Sequence, residues 1–158
     1  MTAEEIYNNL KAKFGEEILE AKLDAAQPWI RIAPDKTKEI AAFLHDEPTL
    51  RFDFLMCLSG IDYNDGKLGV VYHLSSLEHK HKVVLKAHCT KENPHVQSVS
   101  SIWGTANWHE REAFDLFGIV FDEHPDLRRI LLPYDWEGHP LRKDYKVPEF
   151  YNGMKVPY

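Results

Sequence analysis

The densest run of groups able to do chemistry is Trp108-His109-Glu110-Arg111-Glu112, continued by Asp115 and closed by Gly118. A histidine beside two carboxylates is raw material for a zinc hydrolase helix or for acid–base catalysis. The zinc arrangement needs His-Glu-x-x-His, which sets two imidazoles one turn apart on one helix face. Position 113 is Ala113, so that motif is broken; acid–base or metal chemistry by His109, Glu110 and Glu112 stays as a distant catalytic alternative. His79 and His81 flank Lys80 in a polar connection, where solvated loop histidines are far commoner than metal ligands. The chain has neither a Gly-rich phosphate loop nor a Gly-x-Ser-x-Gly elbow. Cys57 and Cys89 stand 32 positions apart in apolar runs, which predicts two buried, reduced thiols that ligate nothing. Lacking Cys-x-x-Cys spacing, they cannot hold an iron–sulfur cluster by themselves.

On a helical wheel, Ala113, Phe114, Leu116 and Phe117 form an apolar face, with Arg111, Glu112 and Asp115 opposite. Glu110 breaks the pattern by falling between Phe114 and Phe117. Two accounts fit it. In one, Asn107 caps the helix and Glu110 bonds back to the cap as a capping box. In the other, Glu110 is a partly buried carboxylate that needs a cation, with Arg128, Arg129 or Arg142 to supply it. Arg111 and Asp115, at i,i+4, read as an exposed pair worth about 0.2–0.5 kcal/mol.

The strands and helices that carry these groups follow from periodicity. Residues 3–14 place Ile6, Tyr7, Leu10 and Phe14 at helical spacing, with Gly15 as a C-cap. Short strands follow near 18–23 and 29–32, then a helix over 36–45 capped by Asp35. From Leu50 the period becomes two, placing Leu50, Phe52, Phe54, Met56 and Leu58 on one face of a strand over 50–59. The turn Asn64-Asp65-Gly66 leads to strands over 68–74 and 83–89, an antiparallel meander. A further strand is predicted within 96–103, then the helix from Asn107 to Gly118. The resulting fold class is α+β: a mixed or antiparallel sheet with helices packed on one face and an extended C-terminal tail.

The division expected is a body over 1–132 and a tail over 133–158. Pro133, Pro140, Pro148 and Pro157 forbid a long helix or central strand there, while Tyr134, Trp136, Tyr145, Phe150, Tyr151 and Tyr158 are too aromatic for a solvated linker. Such a tail must lay its aromatics on something, and another protein is the favoured surface over the chain's own body.

Composition sets the outer bounds. With 158 residues, 44% hydrophobic and 12% aromatic, the chain is long and apolar enough to bury a core, which excludes wholesale disorder. A net charge of −6 gives no field for nucleic acid. No apolar run approaches the roughly 20 residues that span a bilayer, and Glu4 and Glu5 stand where a secretory signal carries positive charge. A cytoplasmic protein is expected.

Glu110-Arg111-Glu112, Asp115-Leu116-Phe117, His124 and then Arg128-Arg129 with Ile130-Leu131 together resemble the signature of the 30-kilodalton (C) subunit family of respiratory complex I. A second stretch, Asp135-Trp136-Glu137-Gly138-His139-Pro140-Leu141-Arg142-Lys143-Asp144-Tyr145, is similar to the same family. The resemblance implies a peripheral-arm component of a proton-pumping NADH:quinone oxidoreductase, on the cytoplasmic side of the bacterial inner membrane. It also implies a seat against the 49-kilodalton (D) subunit, near the quinone site. By the same resemblance this chain holds no cofactor, while NADH, FMN, iron–sulfur clusters and quinone belong to the whole complex. Relatives serve in a ferredoxin-linked photosynthetic complex and in membrane-bound hydrogenases, which stand as alternatives. The signature and partner-binding residues implied are Glu110, Arg111, Glu112, Asp115, His124, Arg128, Arg129, Trp136, Pro140, Leu141, Arg142, Lys143, Asp144 and Tyr145.

Overall fold

A computed structural model describes residues 1–156; Pro157 and Tyr158 of the predicted tail lie outside the described residues. The order is α1 (Ala3–Phe14), β1 (Ile18–Lys22), β2 (Trp29–Ile32), α2 (Thr37–Asp46), β3 (Phe54–Asp62), β4 (Lys67–Ser75), β5 (Lys82–Thr90), β6 (His95–Gln97), α3 (Ala106–Phe117) and β7 (Val120–Asp122). A small hairpin, β8 (Phe150–Tyr151) with β9 (Met154–Lys155), ends the described chain. Five strands form one mixed sheet in the order β1-β2-β5-β4-β3. All its pairs are antiparallel except β2 with β5. The predicted meander is thus present, with β4 between β3 and β5.

Register decides which residues make the core. Ile30 and Ile32 align with Leu85 and Ala87, which align with Tyr72 and Val70 of β4. Tyr72 and Leu74 align in turn with Leu58 and Leu55 of β3. This face is buried together with Ile6 and Leu10 of α1, Ile40 and Leu44 of α2, and Ala106 and Ala113 of α3. The helices therefore lie on one face, because only that face carries an unbroken apolar lattice. Gly60 permits the closest approach of α3: a Cβ there would fall 2.6 Å from the Phe117 ring.

Local signals account for the helix ends. Thr2 and Glu5 form a capping box on α1, and Gly15 takes φ +49° just past its end. Asp35 does not cap α2; it lies in a 3₁₀ turn over Pro34–Lys36, and Thr37 donates its hydroxyl back to Pro34 O at 3.0 Å.

β3 departs from the alternation expected of it. It starts at Phe54, and its register shifts between Leu55 and Cys57. This bulge turns Leu55 and Leu58 inward while Phe54 and Met56 stay exposed, so the predicted face is inverted at those two positions. Leu50 and Phe52 are buried as predicted, but in the loop before the strand. Cys57 is in consequence only half-buried, whereas Cys89 is buried on the core face; both thiols are free. The strand sought within 96–103 is only β6, paired in parallel with β7.

Candidate functional site

Helix α3 carries the signature, and its charged residues turn inward as well as outward. Glu110 and Asp115 are both fully buried, while Glu112 is exposed. The capping account of Glu110 fails, while the buried account holds for its burial and hydrogen bonding but not for an arginine partner. Asn107 lies inside α3, whose N-cap is Thr105 with no side-chain bond. Glu110 reaches the loop after β6 instead: the Ser98 hydroxyl donates to Oε2 at 2.6 Å and the Val99 N–H donates to Oε1 at 2.7 Å. Arg128, Arg129 and Arg142 are all engaged elsewhere.

His124 stands beside Glu110, its Nε2 3.9 Å from Glu110 Oε2. That nitrogen donates to Asn107 O at 3.1 Å, while Nδ1 accepts the Asp126 N–H at 3.0 Å. Both bonds together select the neutral imidazole with its proton on Nε2. Glu110 thus sits among neutral partners. Burial drives its carboxyl up to about 7, against the downward pull of the Ser98 and Val99 bonds. The fully buried Tyr72 hydroxyl, also within electrostatic reach of Glu110, makes no hydrogen bond among the described residues.

Asp115 is the hub of a second arrangement. Its Oδ2 accepts three consecutive backbone N–H groups, Ile130 at 3.1 Å, Leu131 at 2.8 Å and Leu132 at 2.9 Å. Its Oδ1 receives Arg129 Nη1 at 2.7 Å. Burial pushes this carboxyl up, but the Leu132 N–H, Arg129 and the Leu131 and Ile130 N–H groups outweigh it and hold the pKa below the usual carboxylate range. The i,i+4 pair with Arg111 is therefore not made. Arg111 instead donates to the carbonyls of Arg128 and Arg129 at 3.2 and 3.3 Å, bracing the same segment from the other side. Arg128 pairs with Asp126 at 2.8 Å on the surface.

The segment after Leu132 completes the helix. Arg129 Nη2 donates to the carbonyls of Trp136 and Gly138, and His139 Nδ1 donates to Asp115 O at 2.9 Å. Leu141 N–H donates to Leu116 O, and Arg142 Nε donates to Phe117 O at 2.6 Å. Carbonyls that end any α-helix without partners are here taken up by the following chain, with guanidinium groups at the negative end of the helix dipole. Pro140 is half-buried in this turn, and Trp136 Nε1 donates to the Tyr145 hydroxyl at 3.1 Å. Lys143 N–H and Lys91 Nζ both donate to Asp62 Oδ2 at 2.9 Å, and Lys91 also bonds Asp144 at 3.0 Å. Burial raises the Asp62 carboxyl, yet the Lys143, Lys91 and Asn64 bonds overcome that and set it at about 2. Residues 136–145 are therefore bound to the chain's own helix and sheet, where the sequence suggested the surface of a partner.

Gly118 is the joint of this assembly. It takes φ +70° and donates its N–H to Phe114 O. A Cβ there would lie 2.5 Å from His139 Cδ2 and 2.6 Å from Arg142 Nη2. Gly118→Ala is expected to cost about 1–3 kcal/mol, from left-handed strain and the displaced cap. Urea denaturation of the two proteins checks it.

His109, Glu110 and Glu112 do not converge. His109 and Glu112 line a groove of about 350 Å³ between α3 and β3, beside Cys57, Gly60 and Leu141. Glu110 points to the opposite side, into the Ser98 loop. Among the described residues no group of three or more His, Cys, Asp or Glu is placed to hold a metal ion. Sequence reasoning missed Ser98, Asp62 and Lys91, since each lies far along the chain from what it binds and shows no local pattern.

Beside Glu112, the exposed side chains around α3 include aromatic, aliphatic and cationic groups. Trp108 and Tyr134 are 67% and 82% exposed, and Leu131 62%. The Arg111 guanidinium lies 6.0 Å from the Trp108 ring, and Arg128 is in contact with Tyr134.

Fold and site together define an α+β scaffold of mixed sheet and buried carboxylate clamps, with signature charges turned onto its own backbone. The family model for the respiratory-chain NADH dehydrogenase 30 Kd subunit matches residues 30–151, and the chain belongs to that family. It is 52% identical over 96% of its length to the C subunit of the NADH-quinone oxidoreductase of Chloroherpeton thalassium, spanning 64% of that protein. To the equivalent subunit of Chlorobium phaeobacteroides it is 47% identical, covering 96% of this chain and 93% of the relative. A solved trypsin-resistant fragment of Nqo5 superposes with a TM-score of 0.65 at 30% identity, covering 80% of this chain and 100% of the fragment. An archaeal membrane-bound sulfane sulfur reductase shares the fold, with a TM-score of 0.73 at 22% identity over 90% of this chain and 85% of that one.

Proposed function

We propose that this chain is a non-catalytic subunit of the peripheral arm of an NADH:quinone oxidoreductase, docked against the D subunit on the cytoplasmic side of the membrane. In this reading it supports electron transfer from NADH to quinone by holding its neighbour in place. NADH, FMN, iron–sulfur clusters and quinone are bound elsewhere in the complex. The observation that carries the reading is the surface over α3. Two of its three carboxylates, Glu110 and Asp115, are consumed internally, and beside the exposed Glu112 it presents Trp108, Arg111, Arg128, Leu131 and Tyr134 outward. Trp, Tyr and Arg are the residue types that dominate binding energy at protein interfaces. No helix among the described residues is long and apolar enough to cross a membrane, which accords with a peripheral position. The name carried by the bacterial relatives favours the respiratory complex over the photosynthetic and hydrogenase alternatives.

The test is capture of the D subunit by the purified chain. Trp108→Ala with Tyr134→Ala is expected to weaken capture by about tenfold or more. Thermal stability should stay within about 0.5 kcal/mol of the parent, since both side chains are exposed. Undiminished capture by the double variant would remove this surface from the interface.

A further inference from the structure

The helices cover one face of the five-stranded sheet and leave the other free of them among the described residues. Strand register lays out that open face in rows. One row runs Lys22, Trp29, Val84, His73 and Cys57; the next runs Glu20, Arg31, Lys86, Val71 and Ser59. His88 follows in a third row, with the Tyr63 ring 4.6 Å away between centroids.

This face is charged against the trend of the molecule. The chain has a formal net charge of −6, yet the rows hold Lys22, Arg31 and Lys86 against a single carboxylate, with two histidines besides. That carboxylate, Glu20, is already taken by Arg31 at 2.9 Å. Lys86 Nζ sits 4.0 Å above the Trp29 ring, which fixes an ammonium over an aromatic plate. Val71 and Val84 provide a closely packed apolar floor between the cations. Arg31 Nε and His73 Nδ1 are buried there without hydrogen-bond partners among the described residues. Burial first, and then Arg31, Lys86 and Lys67, depress the His88 imidazole, which favours its neutral, hydrogen-bonding form on this face.

We propose that the open sheet face is a docking surface for a carboxylate-rich segment of a partner protein, held by the cations Lys22, Arg31 and Lys86, with His73 and His88 as hydrogen-bonding groups beside the Val71–Val84 floor. The segment would pair its carboxylates with discrete cations, which rows of paired strands present at regular spacing. A phosphate backbone suits the face less well, because three fixed cations on a net-acidic chain give little counterion release. This surface lies on the opposite side of the sheet from α3, so it goes beyond the α3 docking reading and does not depend on it.

The experiment titrates the isotopically labelled full chain with a decaglutamate peptide and maps amide shifts by NMR. Shifts concentrated at Arg31, Val71, Lys86 and His88 are expected. Lys86→Glu should weaken the peptide about tenfold, and Lys22→Glu, on the exposed edge strand, should weaken it in the same direction. Lys38→Glu, which removes a cation paired with Glu123 on the helical side, should leave affinity within about twofold. Circular dichroism confirms that each variant is folded, and Lys22→Glu decides the matter if Lys86→Glu is not. The proposal fails if the peptide does not bind, if the shifts fall on α3 or residues 129–145, or if Lys38→Glu weakens binding as much as the open-face variants. Tighter binding of a single-stranded oligouridylate of equal charge would also overturn it, in favour of nucleic acid. Retained peptide binding alongside failed capture of the D subunit would sink the docking reading for α3 and leave this one standing.

Discussion

Asp115→Ala is expected to be the most damaging single change in α3, lowering stability by about 3–5 kcal/mol. The carboxylate is fully buried, and its loss strips Arg129 of its charge partner and three consecutive N–H groups of their acceptor. A largely buried charge without its partner and part-buried donors without an acceptor each carry a desolvation cost. The damage should spread along the chain, because Arg129 also binds the carbonyls of Trp136 and Gly138, and His139 binds the backbone of Asp115 itself. For a chain of this size such a loss lowers Tm by roughly 10 °C or more. Arg129→Met should cost less, since it leaves Asp115 with its three backbone donors. Two measurements check this: denaturant midpoints of the three proteins, and hydrogen exchange at the amides of residues 130–132, which should lose protection in Asp115→Ala. Equal midpoints for Asp115→Ala and the parent would mean that these bonds do not hold the segment.

The strands and helices were legible wherever one residue type repeats at one period. β4 and β5 read directly, because Leu68, Val70, Tyr72 and Leu74, and Val83, Leu85, Ala87 and Cys89, put an apolar residue at every second position between turn signals, even though Val71 and Val84 are apolar as well. β3 misled because Leu50 to Leu58 also alternates in sequence, and the bulge at Leu55/Cys57 leaves no local mark. At the signature helix, the wheel found the odd position of Glu110 and inferred correctly that it had to be buried or capped. It could not name Ser98, twelve residues upstream, because a loop hydroxyl has no periodicity to betray it. Asp115 was misread for a stronger reason. A wheel assigns charged residues to solvent, whereas the fold supplies this one with a nest of backbone donors made by residues 130–132. The tail was judged by its prolines and aromatics, which describe its backbone preferences; they say nothing of the α3 carbonyls that its Leu141, Arg142 and His139 complete. The family motifs were visible as a string, and only the structure shows that most of their charges hold the chain to itself.

Glu110 should make the protein less stable as pH rises through the neutral range, the reverse of what a salt-bridged carboxylate does. Its folded pKa of about 7 lies above the 4.5 of a free glutamate, so the folded state binds this proton more tightly than the unfolded chain. The contribution is therefore complete below pH 4.5, shrinks as pH rises toward 7, and is gone above it. The interval corresponds to about 3 kcal/mol. Glu110→Gln keeps an oxygen to accept the Val99 N–H and places an amide where the protonated acid would sit, but it cannot ionise. The difference in stability between the parent and this variant should accordingly depend on pH. At pH 5 the parent should be comparable or more stable, and by pH 8 the glutamine variant should be ahead. Asp62 and Asp115, whose carboxyls are held low, lose their contributions only in acid and are common to both proteins, so they cancel in the comparison. His124 stands close but commits both ring nitrogens to the backbone, leaving no cation to favour the charged form of Glu110. Paired urea titrations at pH 5, 6, 7 and 8 measure the difference directly. A constant difference across that range would show that Glu110 keeps one protonation state throughout, and a glutamine variant less stable at pH 8 than at pH 5 relative to the parent would show that the fold prefers the carboxylate ionised.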